Sequence, residues 1–319
     1  MLNAAVHLTD GSALALSPNA RGALFMTIAM AGFTMNDAIT KFCSESMNMG
    51  QVMLVRGLFA TALIGAIAWH RGAFARPADV LHPTVALRLI SEVGGTVSFL
   101  IALGHLPLAN VSAVLQALPL AVTMGAALVF AEPVGWRRWL AIVIGFAGVL
   151  VIVRPGFDGF SVYSLWALAC VVFCAIRDLA TKRLPREIPT LLVSTATAAA
   201  VTLCGGVLVV PFGGWSPMSA GNLGLLAGAA LLLIVGYQFI ITAMRIGDIS
   251  AVAPFRYTAL LWAIVLSVVV FGDVPDTAMI AGSVIIVASG LYALYRERIR
   301  GRERPVAEST APGMAADGL

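Results

Sequence analysis

Long apolar runs broken by Pro, Gly and charge recur ten times along the chain, at about residues 22–42, 50–69, 86–104, 109–131, 137–153, 161–180, 188–210, 222–244, 250–272 and 277–295. Each approaches the ~20 apolar residues with which a helix crosses the hydrocarbon core of a bilayer. The chain is organised around the fourth run, Asn110–Pro133, which is interrupted by Gln116 and Pro119 and closes on Glu132. The ninth run, Asp248–Pro275, repeats that grammar. Ser112-Ala113-Val114 answers to Ser250-Ala251-Val252, Gln116–Pro119 to Pro254–Tyr257, and Phe130-Ala131-Glu132 to Phe271-Gly272-Asp273. The offset is 138 residues at the first two anchors and 141 at the third.

A further anchor lies at the ends of the first and sixth runs, where Asp37-x-x-Thr40-Lys41 matches Asp178-x-x-Thr181-Lys182 at an offset of 141. Five spans per half is an odd number, so the second copy enters the membrane the other way up. The expected fold is an all-α membrane protein with ten transmembrane helices in two inverted five-helix repeats. The halves are residues 21–154 and 155–295, with an N-terminal tail at 1–20 and an Arg-rich, disordered tail at 296–319. Inverted repeats enclosing a site at the bilayer midplane are a recurrent plan of secondary transporters.

Composition agrees with a membrane protein: hydrophobic residues make up 60% of the 319, charged residues 11%, and the mean hydropathy is +0.94. A soluble domain carries roughly 25% charge. With both termini cytoplasmic, Lys and Arg collect in the inner segments: Arg71, Arg76 and Arg88, then Arg137 and Arg138, then Lys182, Arg183 and Arg186, then the tail from Arg296. The outer segments hold only Lys41 and Arg154, which orients the chain in the inner membrane by the positive-inside rule. The net charge of +4 and pI near 9.1 are thereby assigned to anionic headgroups, and no nucleic-acid partner is expected. The first 20 residues lack a basic n-region and a cleavage site, so a cleaved signal peptide is not expected. Neither the four cysteines nor the four histidines have metal-site spacing, so no metal and no cofactor are expected.

Ten spans, two five-helix halves, the Asn-x-Ser-Ala-Val and Asp-x-Ser-Ala-Val openings and the Phe-Ala-Glu-Pro and Phe-Gly-Asp-x-Pro closings resemble the drug/metabolite transporter superfamily, EamA type, over about residues 21–295. The resemblance implies an inner-membrane carrier with a central cavity lined chiefly by spans 1, 3, 4, 6, 8 and 9. Asn36-Asp37 and Thr40-Lys41 in span 1 are similar to branches that import riboflavin or S-adenosylmethionine.

Ionisable groups at membrane depth cost several kcal/mol unless paired or hydrated, so each one needs a reason. Asp37, Arg56, Glu92, Arg177, Asp178 and Arg256 are such groups, and their charges sum to zero. Glu92 is four residues beyond Arg88, which can snorkel to the inner surface. Glu92 either pairs with Arg88 or serves as a cavity carboxylate that takes a proton or contacts substrate. Arg256 follows Pro254, which breaks the ninth span by freeing the carbonyl of Ser250. It is a substrate-site candidate, with pairing to Asp178 or Glu92 as the alternative. Tyr257 and Trp262 offer ring faces for stacking, Gln116 an amide for a polar edge, and Tyr237-Gln238 a further ring and amide. Each could equally serve helix packing. Asn36, Asp37 and Arg56 are read as an ion-pair or outer gate, in which Asp37 pairs with Arg56. Arg177 and Asp178 are read as the inner gate. Being adjacent on a helix they point about 100° apart and are not expected to pair with each other. Glu132 and Asp273 are read as loop or cap residues.

These features favour a secondary transporter working by alternating access on a small-molecule substrate, over a channel or a membrane-embedded enzyme; no enzyme activity is expected. Riboflavin uptake is the first expectation, because the balanced charge and the rings suit a neutral flat molecule. S-adenosylmethionine uptake and amino-acid or metabolite export stand behind it. G-x-x-x-x-G-K-[ST], G-x-S-x-G and H-E-x-x-H do not occur in the sequence. Proton coupling would fall to Glu92, and a homodimer is compatible with the reading.

Overall fold

The computed structural model describes residues 17–299 apart from Asp158 and Arg186, with the backbone alone at Ile249, Ser250 and Arg298. The Arg-rich tail beyond residue 299, most of the N-terminal tail and the basic residue Arg186 lie outside the described residues. Everything described is helix, turn or loop. The helices are α1 (Pro18–Ser44), α2 (Met49–His70), α3 (Pro83–His105), α4 (Leu108–Leu115), α5 (Leu118–Phe130), α6 (Trp136–Val153), α7 (Tyr163–Lys182), α8 (Thr190–Val209), α9 (Ala220–Ile246), α10 (Ile249–Val252), α11 (Thr258–Phe271) and α12 (Thr277–Ile299). They form ten spans long and apolar enough to cross a membrane, α4 with α5 making the fourth and α10 with α11 the ninth. Local sequence sets the starts. Ser17, Asn48 and Ser219 each accept a backbone N–H of the first turn, and Pro18 and Pro83 occupy first-turn positions where no N–H is needed.

Packing follows the repeat. α1 lies along α9, α3 along α7, α2 along α8, α6 along α12, and α4 against α11. In span numbers these are 1 with 8, 3 with 6, 2 with 7, 5 with 10 and 4 with 9. Exchanging each span for its counterpart five places on leaves the pairing unchanged, as two copies related by a two-fold axis require. Every one of these pairings crosses from one half to the other. The α6–α12 crossing depends on Gly148 and Gly282. A Cβ on Gly148 would meet the Gly282 carbonyl at 2.9 Å, and one on Gly282 would meet the Gly148 carbonyl at 2.6 Å. Close backbone approach through small residues is how helices associate where lipid offers no hydrophobic drive.

The main core lies where α3, α4 and α7 meet, with Leu103, Val111, Ala113, Ala167 and Cys170 fully or nearly fully buried. Outward faces carry large apolar side chains such as Leu128, Val207 and Val269, which suits contact with acyl chains.

Candidate functional site

Both interrupted spans break at repeat-equivalent points. In the fourth, α4 ends at Leu115 and α5 begins at Leu118, and Pro119 supplies no N–H to the turn before it. In the ninth, a 3₁₀ turn over Ala253–Tyr257, opened by Pro254, separates α10 from α11. Irregular backbone at membrane depth is tolerated where it lines a cavity. A partly open cavity lies at both breaks. Ser112, Leu115, Gln116, Leu118 and Pro119 line it from one break, and Ala253, Arg256, Tyr257 and Ala259 from the other. α1 contributes Met30, Phe33, Thr34 and Asp37, and α12 contributes Leu294. A carboxylate, a guanidinium, an amide and a phenol ring thus face one space from three spans.

Arg56 acts on the Asp37 carboxylate electrostatically, as a pair of opposite charges, but among the described residues no direct hydrogen bond joins them. Asn36 stands between them: its Nδ2 donates to Asp37 Oδ1 at 3.0 Å, and its Oδ1 accepts from Arg56 at 3.3 Å. Arg56 also donates to Thr40 Oγ1 at 3.3 Å. The Asn36 amide therefore bridges the carboxylate on α1 and the guanidinium on α2. Across the cavity wall, Arg256 interacts electrostatically with Asp178 of α7.

Behind the cavity, α3 and α7 share a buried charge network. Arg177 reaches Glu92 at 3.4 Å and its own neighbour Asp178 at 2.7 Å. The expected divergence of Arg177 and Asp178 does not keep them apart, because the long guanidinium arm curls back and its fork meets Asp178 Oδ1 through two nitrogens. Arg88 does not snorkel. It is 2% exposed and donates to Thr181 at 3.0 Å and Thr197 at 2.6 Å, while Glu92 acts on it electrostatically from the same helix. The set at membrane depth is therefore Arg56, Arg88, Arg177 and Arg256 against Asp37, Glu92 and Asp178, with one guanidinium in excess.

The Asp-x-x-Thr-Lys repeat ends on two lysines that meet the Phe-x-acid repeat of the opposite half. Lys41 sits 5.4 Å from the Phe271 ring centre, and Lys182 sits 5.5 Å from that of Phe130. Lys182 pairs with Glu132, so that acid, read from sequence as a cap, holds a cation of the other half. Lys41 donates to the carbonyls of Leu103 at 2.9 Å and Leu106 at 2.7 Å, closing α1 onto the end of α3.

Of the residues singled out from sequence, Asp37, Gln116, Arg256 and Tyr257 come together at the cavity. Asn36 and Arg56 stand behind Asp37, and Glu92, Arg177 and Asp178 form the buried network. Tyr237 packs edge-on against Phe33 at 5.7 Å, one layer back from the lining. Gln238 and Trp262 are exposed and do not line the cavity. Sequence reasoning passed over Thr34 in the lining and Thr197 as a partner, and it used Ser112, Thr40 and Thr181 only as repeat anchors, without a site role. Their signal was present: a Thr on a span whose hydroxyl can face a neighbouring arginine. Among the described residues, no group of three or more His, Cys, Asp or Glu side chains is placed to hold a metal ion.

Comparison with known proteins matches the EamA-like transporter family twice, over residues 20–154 and 162–295. Similar curated proteins include an S-adenosylmethionine uptake transporter of Rickettsia prowazekii, 23% identical over 89% of this chain and 96% of its own. A pseudopaline exporter of Pseudomonas aeruginosa is 26% identical over 84% and 94%. A riboflavin transporter of Vibrio cholerae is 26% identical over 90% and 97%. One solved crystal structure superposes with a TM-score of 0.61 at 19% identity, covering 88% of this chain and 99% of that one, which supports the fold.

Proposed function

The chain belongs to the EamA-like transporter family, and from that premise we propose that it is a secondary transporter moving a small polar metabolite across a bacterial inner membrane by alternating access. The observation that carries this is the cavity at the two helix breaks, where Asp37 and Arg256 face a common space from different halves. One charge of each sign suits a substrate that itself carries both. Among the substrates named for its relatives, S-adenosylmethionine meets that description, with a carboxylate for Arg256 and cationic centres for Asp37.

Riboflavin, the first expectation from sequence, is the second reading. Gln116 and the Tyr257 ring favour it, since an amide and a flat ring suit a neutral heterocycle. Two rings counted towards it, Tyr237 and Trp262, lie off the lining. In this mechanism the lysine contacts act as exchangeable locks. One face is closed by Lys41 on α3, while Lys182 on the other face stays half exposed beside Glu132. Both termini are cytoplasmic in this reading, by the distribution of Lys and Arg.

The test is uptake in a bacterial strain that can make neither compound, supplied with labelled S-adenosylmethionine and, separately, labelled riboflavin. Saturable accumulation of the first with counterflow supports the proposal. Accumulation of riboflavin alone selects the second reading, and non-saturating flux of either overturns a carrier mechanism.

A further inference from the structure

Asn36 is 2% exposed, and its amide has a direction that the neighbours dictate. A guanidinium has donors and no acceptor, so the Asn36 oxygen must face Arg56. The –NH2 end is then left for Asp37, whose Oδ1 accepts it at 3.0 Å. Thr40, on the same helix as Asn36, supports Arg56: its hydroxyl donates to the backbone carbonyl of Asn36 at 2.8 Å while accepting from Arg56 at 3.3 Å. Arg56 and Asn36 are not among the cavity-lining residues, and Asp37 is. Among the described residues no hydrogen bond engages Asp37 Oδ2, so the second oxygen is available to whatever occupies the cavity.

We propose that Arg56 and Asn36 are positioning residues that act through Asp37, tying down one carboxylate oxygen so that the other meets a cationic group of the substrate. This rests on the transport reading above and deepens it. A free carboxylate on α1 would rotate between the cavity and the polar wall of α2. Held at one oxygen it presents a single acceptor in one direction, and Arg56 polarises the amide so that its donor end is strengthened. The pair thereby separates substrates that carry a cation from neutral ones, without either residue touching the ligand.

The experiment is a mutant cycle on proteoliposomes carrying the full chain, with labelled S-adenosylmethionine as the probe. Asn36→Ala and Arg56→Lys are each expected to raise the half-saturation concentration about tenfold while the maximal rate changes little, a split expected when binding alone is weakened. In an Asp37→Asn background neither is expected to add anything, because the group they act through is gone. Arg56→Lys keeps the charge and protects against misfolding as the explanation; the amount of folded protein is fixed by its elution on size exclusion. Effects that multiply with Asp37→Asn, or that fall on the maximal rate alone, overturn the positioning role. A wild type that carries riboflavin and not S-adenosylmethionine overturns the cation-binding role of Asp37. A wild type that carries neither overturns S-adenosylmethionine as the substrate, and with it the role argued for Asp37.

Discussion

Lys41 and Lys182 are repeat-equivalent, each within 5.5 Å of the phenylalanine ring that ends a broken span of the other half, yet only Lys41 is tied to backbone carbonyls. Among the described residues Lys182 has Glu132 instead, and its side chain is 51% exposed. The two halves thus have nearly the same parts in unlike arrangements, and in the carrier reading proposed above that asymmetry marks the Lys41 face as the closed one.

Replacing Lys41 with Ala removes two charge-assisted hydrogen bonds from the closed face. With each contributing about 1.5–3 kcal/mol, K41A should shift the equilibrium at least about a hundredfold towards opening that face. The readout is the labelling rate of a cysteine placed in the cavity wall, S112C, by an impermeant maleimide added from the Lys41 side. K182A, whose lysine is already half exposed, should change labelling from that side little. Equal responses to the two substitutions would mean that the asymmetry is not a lock.

Arg256 faces the cavity from the 3₁₀ turn that Pro254 opens. R256A should reduce uptake about 10–100-fold, the loss of one hydrogen bond to a charged group, and Q116A about 2–10-fold, the loss of a neutral one. Initial rates normalised to the protein in the membrane decide it. Normal uptake by both variants would remove the breaks of spans 4 and 9 from the binding site.

The fold was readable because its signals are short-range or periodic. Apolar runs gave the spans, and four anchors at offsets of 138 and 141 residues gave the repeat, including the equivalence of Gln116 and the Pro254 turn. Partnerships were harder to read. Arg88 at i, i+4 from Glu92 invites a local pair, but helix–helix packing turns it towards Thr181 and Thr197 on α7 and α8. Asn36 between Asp37 and Arg56 depends on how α1 rotates against α2, which no single-helix pattern encodes. Trp262 and Gln238 show the same limit: polarity or aromaticity within a span does not say which way the side chain points.

Arg177 serves two carboxylates, Glu92 and Asp178, with its own side chain 1% exposed. R177M leaves both acids without that cation and should destabilise the protein by about 3–5 kcal/mol, the scale found when one partner of a buried pair is removed. E92Q leaves Arg177 with Asp178 and should cost less. Melting temperatures in detergent order the two. Glu92 stands off the cavity lining, so the surviving E92Q protein should keep the pH profile of wild-type uptake. A flattened profile would instead give Glu92 the proton-coupling role that its position in the sequence suggested.

The two Phe-x-acid closings end their helices in the same left-handed turn with different residues. Ala131 caps α5 at φ 52°, and Gly272 caps α11 at φ 71°. After Gly272 the Asp273 N–H returns to the Ser267 carbonyl at 2.9 Å, and after Ala131 the Glu132 N–H reaches Ala126 only at 3.5 Å. A Cβ in this region crowds the following carbonyl at about 1–2 kcal/mol, part of which a glycine gives back as extra freedom in the unfolded chain. A131G should therefore stabilise the protein by about 0.5–1 kcal/mol, and G272A should destabilise it by a similar amount. Both acids face a lysine of the opposite half, Glu132 as an ion pair and Asp273 electrostatically. The substitutions thus change how firmly each acid is presented as well as the helix end. Thermal unfolding of the two variants separates these effects. Opposite signs of similar size identify the backbone as the cause. A loss of stability in both would mean that Ala131 is held in its strained turn by the Lys182–Glu132 pair, and that relaxing the turn weakens the contact.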